Sequence, residues 1–513
     1  MNMKMTYSNP VLPGFYPDPS VIRVGSDYYM AASSFEYVPG LPIFHSKDLI
    51  HWRQIGHALT RTSQIDLSGR RSSEGIYAPT LRYHEGVFYI ITTDVMGIGN
   101  FYMTASDPVG PWSDPIQIPY GNIDPSLMFD DDGKVYVTAQ MGADKESHII
   151  QYEIDIKTGT ALSEPVVVAR GDGGVWTEGP HLYKINGRYY LTCACGGTGR
   201  DHRVLVYRGD APYGPFEMMP HPMLTHNRLA NDPIQNVGHA DLVEDMAGRW
   251  WAMFLGVRPV DGQYSVLGRE TFLAPVQWTE DGWPVVDNNE GTVRLEMAAE
   301  GAVIPLPSSA SAVEPYWRDD FADAQLGNRW TFLLAAQEEQ ALLGMRHGYV
   351  ALKGNALALR DIGPALFLGV RQQHRIVTVT TELQFAPQQE GEEAGIAVRL
   401  NEQGNLTLGI RLREGVQVLT AVMTDRGLTT ILAEKPISAE HVWLRIVAKE
   451  REYALMYSLD GEAWHEAGSA PARGLSPEGN GGFTGALIGM YATGNGRNSE
   501  APAYFDYFQY QAE

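Results

Sequence analysis

Cysteine is almost absent from this chain. Cys193 and Cys195 are the only two among 513 residues, and a single residue separates them. On a strand their side chains would point the same way, and no further cysteine could complete a zinc site. We therefore expect two buried, reduced thiols and a protein of the cytoplasm.

Long apolar runs are also missing. No stretch approaches the eighteen or so uninterrupted apolar residues of a membrane span. The segment from Met1 to Tyr7 is polar and lacks the apolar region of a signal peptide. Neither a membrane span nor a secretory signal is expected, which agrees with a cytoplasmic location.

Basic residues are scarce relative to acidic ones. There are 39 Lys and Arg against 61 Asp and Glu, a formal net charge of −22, and no basic run interrupts it. Such a surface repels phosphate backbones and anionic lipid, so neither nucleic acid nor membrane partners are expected. A neutral substrate such as a sugar is compatible with this charge.

What the chain does contain is a repeated phrase, a glycine turn followed by an aromatic-rich strand. The intervals between its copies are roughly 45 to 60 residues, the length of one four-stranded propeller blade. The five copies are Gly25 to Tyr29, Glu85 to Tyr89, Asp132 to Tyr136, Asn186 to Tyr190 and Gly248 to Trp251. We therefore predict five blades.

A short apolar segment precedes each phrase, and the two together are typical of a hairpin. If these segments are the first strands of the blades, the residues before them meet at one mouth of the central channel. Those residues are Asp18-Pro19-Ser20, Ala78-Pro79-Thr80, Asp124-Pro125-Ser126, Glu178-Gly179-Pro180 and Gly238-His239-Ala240. Three blades thus supply a carboxylate and a fourth supplies an imidazole.

The composition and the spacing of the predicted strands change after residue 300. Residues 301–316 are rich in Pro, Ser and Ala and indicate a linker. Beyond it, longer alternating strands predict a β-sandwich of the concanavalin-like, jelly-roll type. The predicted organisation is all-β: a propeller over 1–300, a linker over 301–316 and a sandwich over 317–513 that helps to shape the pocket.

Three carboxylates at one mouth favour cleavage of a glycosidic bond. That reaction needs one carboxyl group to protonate the leaving oxygen and another to activate a nucleophile. A third can raise the pKa of the acid by like-charge repulsion. Asp18-Pro or Asp124-Pro taken alone would indicate an ordinary turn, and Glu178 alone would be unremarkable. Their recurrence across repeats favours a functional site.

The sequence resembles glycoside hydrolase family 43, in its two-domain β-xylosidase and α-L-arabinofuranosidase branch, over nearly its whole length. The matching motifs are Asn9 to Ser20, Phe44 to Leu49, Asp124 to Ser126, Thr177 to Lys184, Gly238 to Ala240, Leu267 to Thr271, Phe483 to Ala486 and Phe505 to Phe508. The resemblance implies an inverting hydrolase. In it, Asp18 is the general base, Glu178 the general acid and Asp124 the group that tunes that acid.

The resemblance also implies substrate contacts. Arg269 would bind sugar hydroxyls, although a salt bridge to another acid is its plainer interpretation. Phe35 and Tyr77 would be pocket walls or blade packing. Phe483 would reach the pocket from the sandwich and close it, or else the sandwich only covers a face of the propeller.

His239 has two interpretations in the family, besides a packed channel histidine. It contacts the site through water, or it helps to hold a calcium ion near the propeller axis. Calcium prefers oxygen ligands, so one histidine would make a weak site. No cofactor is expected to take part in the chemistry itself.

The expected activity is exo-acting release of xylose from the non-reducing end of xylo-oligosaccharides. Tyr77 stands where a tryptophan is often found in this branch, so an α-L-arabinofuranosidase or a dual enzyme acting on arabinoxylo-oligosaccharides is the alternative. A non-catalytic carbohydrate-binding propeller is a distant one, and a fructan-cleaving propeller is disfavoured because the acid lies in Thr-Glu-Gly-Pro. Assembly into a homo-oligomer is common in this branch.

Overall fold

Each repeated glycine phrase turns a hairpin in the computed structural model, which describes residues 6–287, 290–298 and 313–513. At the fourth phrase Asn186 and Gly187 both have positive φ, 52° and 79°. Two successive left-handed residues form the type of turn whose twist matches the flanking strands, and Asn-Gly is its preferred sequence. The repeat therefore arises from turn chemistry.

Five antiparallel sheets follow one another along the first 287 residues, each built mainly from four sequential strands. They are called blades 1 to 5 here, and they are consistent with the five blades that the repeats predict. Blade 1 contains Ser20–Val24, Asp27–Ala31, Gly40–Ser46 and Arg53–Leu59. Blade 2 contains Thr80–His84, Val87–Asp94, Gly99–Ala105 and Ile116–Gln117. Blade 3 contains Ile123–Phe129, Val135–Met141, His148–Glu153 and Val166–Ala169.

Blades 4 and 5 complete the series. Blade 4 contains Glu178–Ile185, Arg188–Cys195, Arg203–Gly209, Glu217–Met218 and the short Leu224–Thr225. Blade 5 contains Gln235–Glu244, Trp250–Val257, Glu270–Trp278 and Pro284–Val286. Cys193 and Cys195 lie on one strand of blade 4, both buried and unbonded, as expected.

The first strands of the blades contact one another in sequence, and those of blades 1 and 5 also meet, so the blades form a closed ring. The N-terminal segment secures this closure. Thr6–Ser8 pairs with Glu296–Ala298, and the Asn9 side chain bonds to both the N–H and the C=O of Leu273. Closure covers the faces of blades 1 and 5 that an open array would expose, while each blade keeps a short outer edge strand.

The second domain is a β-sandwich of two antiparallel sheets, called sheets A and B. Sheet A contains, in spatial order, Ala341–Leu343, Val350–Leu352, Ala503–Ala512, Val377–Gln384, His441–Ala448, Glu452–Ser458 and His465–Pro471. The short strand Tyr316–Asp319 also pairs with Ala503–Ala512. Sheet B contains Phe367–Arg371, Leu487–Thr493, Glu393–Asn401, Gly404–Arg413, Val416–Asp425 and Leu428–Pro436. A continuous apolar core fills the space between the sheets, as burial of alternate residues on each inner face requires.

The outer face of sheet B packs against the propeller. Phe367, Ala397 and Leu487 from this face join one apolar cluster with Phe15 and Phe35 of the propeller. Tyr37–Val38 also pairs with Phe332–Leu333 across the boundary. The two domains therefore share buried surface close to blade 1, where the first predicted carboxylate lies.

Helix is nearly absent from the described residues. Two 3-10 turns, Asp144–Glu146 and Ala472–Leu475, and one α-helical turn, Pro477–Asn480, are present there. No helix in those ranges has the length or apolarity to span a bilayer. The all-β prediction is therefore confirmed.

The predicted domain boundaries are not tested. Residues 301–312 of the predicted linker lie outside the described residues. Tyr316, its last residue, already belongs to the sandwich strand Tyr316–Asp319. The cytoplasmic location likewise stays a prediction.

Candidate active site

Irregular backbone marks the channel mouth where the five first strands meet. Asp18, Asp124 and His239 all have positive φ, between 53° and 56°. Asp18 lies two residues before a first strand, and Asp124 and His239 lie within one. Side chains other than glycine occupy this region only at a cost of about 1 kcal/mol or more. In blades 3 and 5 these residues also coincide with β-bulges, which change the direction of a side chain.

Glu178 departs slightly from this pattern. In blade 4 the left-handed residue is Gly179, with φ of 57°, so Glu178 lies one residue before the register of Asp18 and Asp124. A Cβ at residue 179 would lie 2.9 Å from Nε2 of His239. Glycine is therefore required there, and the bulge turns the preceding Glu178 towards the other two carboxylates.

Asp18 is almost fully buried and surrounded by donors. Oδ2 accepts a hydrogen bond from Ser33 at 2.5 Å, and Oδ1 accepts one from Nη1 of Arg269 at 3.1 Å. Nδ1 of His239 lies 3.6 Å from Oδ1. Burial raises the pKa of Asp18, but Arg269, His239 and the Ser33 hydroxyl outweigh it and hold the pKa below its ordinary value.

Asp124 and Glu178 have the opposite tendency. Burial, Glu178 and Asp18 raise the pKa of Asp124 well above its ordinary value. Burial and Asp18 raise the pKa of Glu178 to about 8. Because the two carboxyls repel each other when both are charged, the pair retains a proton at neutral pH. The site thus combines one ionised carboxylate with a pair that holds a proton.

The structure brings all eight residues predicted from the sequence to one cavity of about 670 Å³: Asp18, Phe35, Tyr77, Asp124, Glu178, His239, Arg269 and Phe483. The aromatic members form one wall. The Phe35 ring lies 5.0 Å from that of Tyr77 and 5.9 Å from that of Phe483, measured between centroids. The guanidinium of Arg269 lies 5.6 Å and 5.8 Å from the centroids of Phe35 and Phe483.

Phe483 enters this cavity from the sandwich domain. Its N–H donates to Oγ of Ser73 at 3.0 Å, and its carbonyl accepts from Arg269 at 3.3 Å. The sandwich segment that carries Phe483 lies so close to the propeller that Gly485 has no room for a side chain. A Cβ on Gly485 would lie 2.4 Å from the Leu267 carbonyl oxygen. Both domains therefore build the pocket.

A buried polar cluster supports this wall from behind. Glu36, next to Phe35, accepts a hydrogen bond from the N–H of Ser73 at 2.9 Å. Arg399 of the sandwich lies 3.6 Å from Glu36 and donates to Ser72 at 2.8 Å. The cluster joins the segment that carries Phe35 to the segment that contacts Phe483.

Some residues of the cavity were not predicted from the sequence. Trp176 lies two residues before Glu178, lines the cavity, has φ of 51° and leaves 37% of its surface exposed. Asn122, Gln140 and Thr198 also line it. Trp176 was the one that the sequence could have indicated, because an exposed aromatic beside an acid of the site is a typical sugar contact.

The propeller axis below the site is filled by an arginine. Arg82 of blade 2 donates to Asp241 of blade 5 at 2.9 Å and contacts Nδ1 of His181 of blade 4 at 3.0 Å. Asp241 also accepts from Ser20 of blade 1 at 2.6 Å and from Tyr183 at 2.6 Å. This network joins four blades.

These residues do not fit the calcium ion considered for His239. His239 presents Nδ1 to Asp18, and the guanidinium of Arg82 supplies the positive charge beside His181 and Asp241. Within 6–287, 290–298 and 313–513, no group of three or more His, Cys, Asp or Glu side chains could hold a metal.

Comparison with known proteins agrees with this geometry. The profile described as "Glycosyl hydrolases family 43" matches residues 7–284, and "Beta xylosidase C-terminal Concanavalin A-like domain" matches residues 318–511. The chain belongs to glycoside hydrolase family 43 and has its two-domain architecture.

Three relatives illustrate the similarity. The chain is 42% identical to the non-reducing end alpha-L-arabinofuranosidase BoGH43B of Bacteroides ovatus, over 99% of this chain and 95% of that protein. It is 38% identical to a xylosidase/arabinosidase of Butyrivibrio fibrisolvens, over 98% of each. The solved structure of a xylan beta-1,4-xylosidase from Bacillus halodurans C-125 superposes with a TM-score of 0.91 at 35% identity, over 98% of this chain and all of that one.

Proposed function

We propose that this glycoside hydrolase releases single pentose units from the non-reducing ends of xylo-oligosaccharides, with inversion at the anomeric carbon. The observation that carries the proposal is the grouping of three carboxyls in one cavity, where Ser33 and Arg269 bond to Asp18 and keep it ionised while the Asp124–Glu178 pair holds one proton. Such a contrast between carboxyls is what acid and base roles require.

Asp18 is the general base in this mechanism. Its pKa lies below the ordinary value, so it is ionised at neutral pH and can accept a proton from a water molecule. That water attacks the anomeric carbon from the face opposite the leaving oxygen. Ser33 and Arg269 hold the carboxylate in place.

Glu178 is the general acid. It is more exposed to the cavity than Asp124, which is 6% exposed. Asp124 accepts the Gly179 N–H at 3.1 Å, a bond that favours its charged form. The proton of the pair is therefore assigned to Glu178, and the negative charge of Asp124 keeps it there until the leaving oxygen takes it.

Arg269 and the aromatic wall would bind the terminal sugar. Arg269 is held by Asp18 and the Phe483 carbonyl, while its buried Nε has no partner among the described residues. Phe35, Tyr77 and Phe483 offer apolar faces to the ring. Because Phe483 covers one side of the cavity, chain ends fit better than chain interiors, which supports exo action on short oligosaccharides.

An α-L-arabinofuranosidase, or a dual enzyme, is the second candidate. Tyr77 supports it, since its hydroxyl bonds to the Ser73 carbonyl at 3.0 Å and the ring is a smaller wall than tryptophan. The names of the relatives include both activities. Xylan or arabinoxylan fragments are thus the proposed substrates.

Rates on nitrophenyl β-D-xylopyranoside and nitrophenyl α-L-arabinofuranoside, measured side by side, decide between the two. A higher kcat/KM on the xyloside supports the xylosidase, and a higher one on the arabinoside supports the second candidate. Proton NMR of the first sugar released tests the mechanism. α-Xylose from the β-xyloside is expected, and β-xylose as the first product would contradict inversion.

A further inference from the structure

A second cavity lies on the sandwich domain, on the part of the outer face of sheet B that the propeller leaves uncovered. Its volume is about 300 Å³, near the lower end of the range for small-molecule pockets. Strands Glu393–Asn401, Gly404–Arg413 and Val416–Asp425 form its floor. The chain around Leu359 and Arg360 forms one side.

The floor of this cavity is unusually polar for a buried surface. Thr407, Thr420, Thr424 and Thr493 line it and are each at most 8% exposed. Oγ1 of Thr420, a side chain that is 4% exposed, has no hydrogen-bond partner among the described residues. A buried hydroxyl without a partner is destabilising, so this position favours a ligand or ordered water.

Arg411 lines the cavity together with Thr420 and lies opposite Glu393 in the strand register. Its buried Nε has no partner, and its guanidinium forms no ion pair with any residue in the described ranges. The neighbouring Arg413 differs, because it is paired with Glu434. Glu393 is engaged by the Tyr491 hydroxyl at 2.6 Å and by Asn495 at 3.2 Å.

The charges around the cavity sum to a positive value in an otherwise acidic protein. Three arginines (Arg360, Arg411 and Arg413) and two glutamates (Glu393 and Glu434) line it, which leaves a net charge of +1. The whole chain carries −22. The cavity is therefore a local attractor for a small anion.

The side chains that line the cavity indicate which class of anion it would bind. Guanidinium groups bind carboxylates through paired, charge-assisted hydrogen bonds, and the threonine hydroxyls match a ligand with hydroxyl groups of its own. Tyr491 is the one aromatic residue in the lining, and at 2% exposure it offers no ring face for stacking. A neutral sugar bound by stacking does not suit this site.

We propose that this cavity binds a hydroxylated carboxylate of the uronic acid type, with the carboxylate on Arg411 and a hydroxyl on Thr420. The ligand is either a free sugar acid or an acidic branch on an oligosaccharide. The site is separate from the catalytic cavity and does not depend on the proposed function.

Isothermal titration calorimetry on the full chain tests the proposal with four probes: D-glucuronate, a xylo-oligosaccharide with a glucuronic acid branch, xylobiose and acetate. D-glucuronate is expected to bind, and acetate at least tenfold more weakly because it lacks hydroxyls. Binding of the branched oligosaccharide that is tighter than that of xylobiose and is weakened by Arg411→Gln identifies a glycan branch as the ligand. Binding of free glucuronate without the oligosaccharide identifies a free sugar acid.

Variants locate the binding. Arg411→Gln should weaken glucuronate binding at least tenfold, as expected for loss of a charge-assisted hydrogen bond worth about 1.5 kcal/mol or more. Thr420→Val should weaken it severalfold, and the matched control Arg413→Gln, which removes an arginine already paired with Glu434, should weaken it much less than Arg411→Gln does. All three should cleave nitrophenyl glycosides like the parent, which shows that they are folded.

Three results would overturn the proposal. One is the absence of glucuronate binding by the full chain at millimolar concentration. Another is undiminished binding by Arg411→Gln, which would place the ligand elsewhere. The third is equal binding of acetate and glucuronate, which would show a general anion site only.

Discussion

Nη1 of Arg269 lies 3.1 Å from Oδ1 of Asp18, and the same guanidinium reaches the carbonyl of Phe483 at 3.3 Å. One arginine from blade 5 therefore contacts both the proposed base and the residue that the sandwich contributes. Because the bond from Arg269 favours the charged form of Asp18, substitutions of Arg269 should change the pKa of the proposed base.

Arg269→Gln should shift the pH dependence of activity upwards. Arg269 lowers the pKa of Asp18 and opposes the rise in that of Glu178. Without its charge both pKa values rise, so kcat/KM is lost at a higher pH on the acid side and persists to a higher pH on the alkaline side. We expect kcat/KM to fall about 10- to 100-fold at the optimum, for a lost charge-assisted bond of 1.5–3 kcal/mol.

The control for that profile is Arg269→Lys, which keeps the charge without the planar geometry. It should lower kcat/KM while leaving both limbs of the profile near their original positions. A profile that does not move in Arg269→Gln would contradict the electrostatic role.

Glu178→Gln should affect substrates according to their leaving groups. Xylobiose needs a proton on its leaving oxygen, so its kcat/KM should fall by about 10²–10⁴-fold, the usual contribution of a general acid. A dinitrophenyl xyloside leaves without protonation and should lose far less. For the parent, activity on xylobiose should decline as the pH rises through about 8, where Glu178 loses its proton.

The matched variant is Asp18→Asn, which removes the proposed base. It should impair both substrates equally, because water must be activated in either case. Equal losses on both substrates in Glu178→Gln would show that Glu178 is not the acid.

Trp176→Ala should weaken the binding of the departing sugar. Trp176 is exposed at the cavity near Glu178, where the leaving group would lie, and covering about 50 Å² of apolar surface there is worth about 1.2 kcal/mol. We expect kcat/KM on xylobiose to fall up to about tenfold. Xylosyl fluoride has no sugar in that position, so its hydrolysis should be unchanged, and Trp176→Phe should retain most activity on xylobiose.

Arg82→Met should destabilise the propeller. It leaves Asp241 buried without its cation, and breaking such a buried pair costs about 3–5 kcal/mol. Burial raises the pKa of Asp241 and Arg82 lowers it, and the net result is a pKa below the ordinary value. The charged form therefore adds stability above about pH 4, and the deficit of the variant should shrink as the pH falls below that.

Urea denaturation of the parent, Arg82→Met and the double variant Arg82→Met/Asp241→Asn measures this effect. The double variant should recover part of the loss, since it buries no unpaired charge. The parent should also keep its activity in the presence of a chelator, because Arg82 already provides the axial cation. Loss of activity of the parent in the presence of a chelator would contradict that interpretation and would indicate a metal ion at the propeller axis.

Local chemistry determined much of this protein. The glycine phrases set the hairpin turns, and their spacing predicted the blades before any contact was known. Alternation of apolar residues predicted sandwich strands from Gly395 to Leu400 and from Asn405 to Arg411, and the structure has the strands Glu393–Asn401 and Gly404–Arg413 there. Asp18 and Asp124 stood out because they recur at equivalent places in the repeats, and Glu178 because it lies one residue before that place in a third repeat.

Only the tertiary structure decided how these residues meet. Repeats can show that three carboxylates share a mouth, but the bulge at Gly179 and the close packing of His239 decide where Glu178 points. The axial pairing of Arg82 with Asp241 joins residues 159 positions apart. Phe483 reaches the cavity only because Gly485 and Leu267 approach closely across the domain boundary. Such relationships depend on packing between distant segments, which local sequence patterns do not encode.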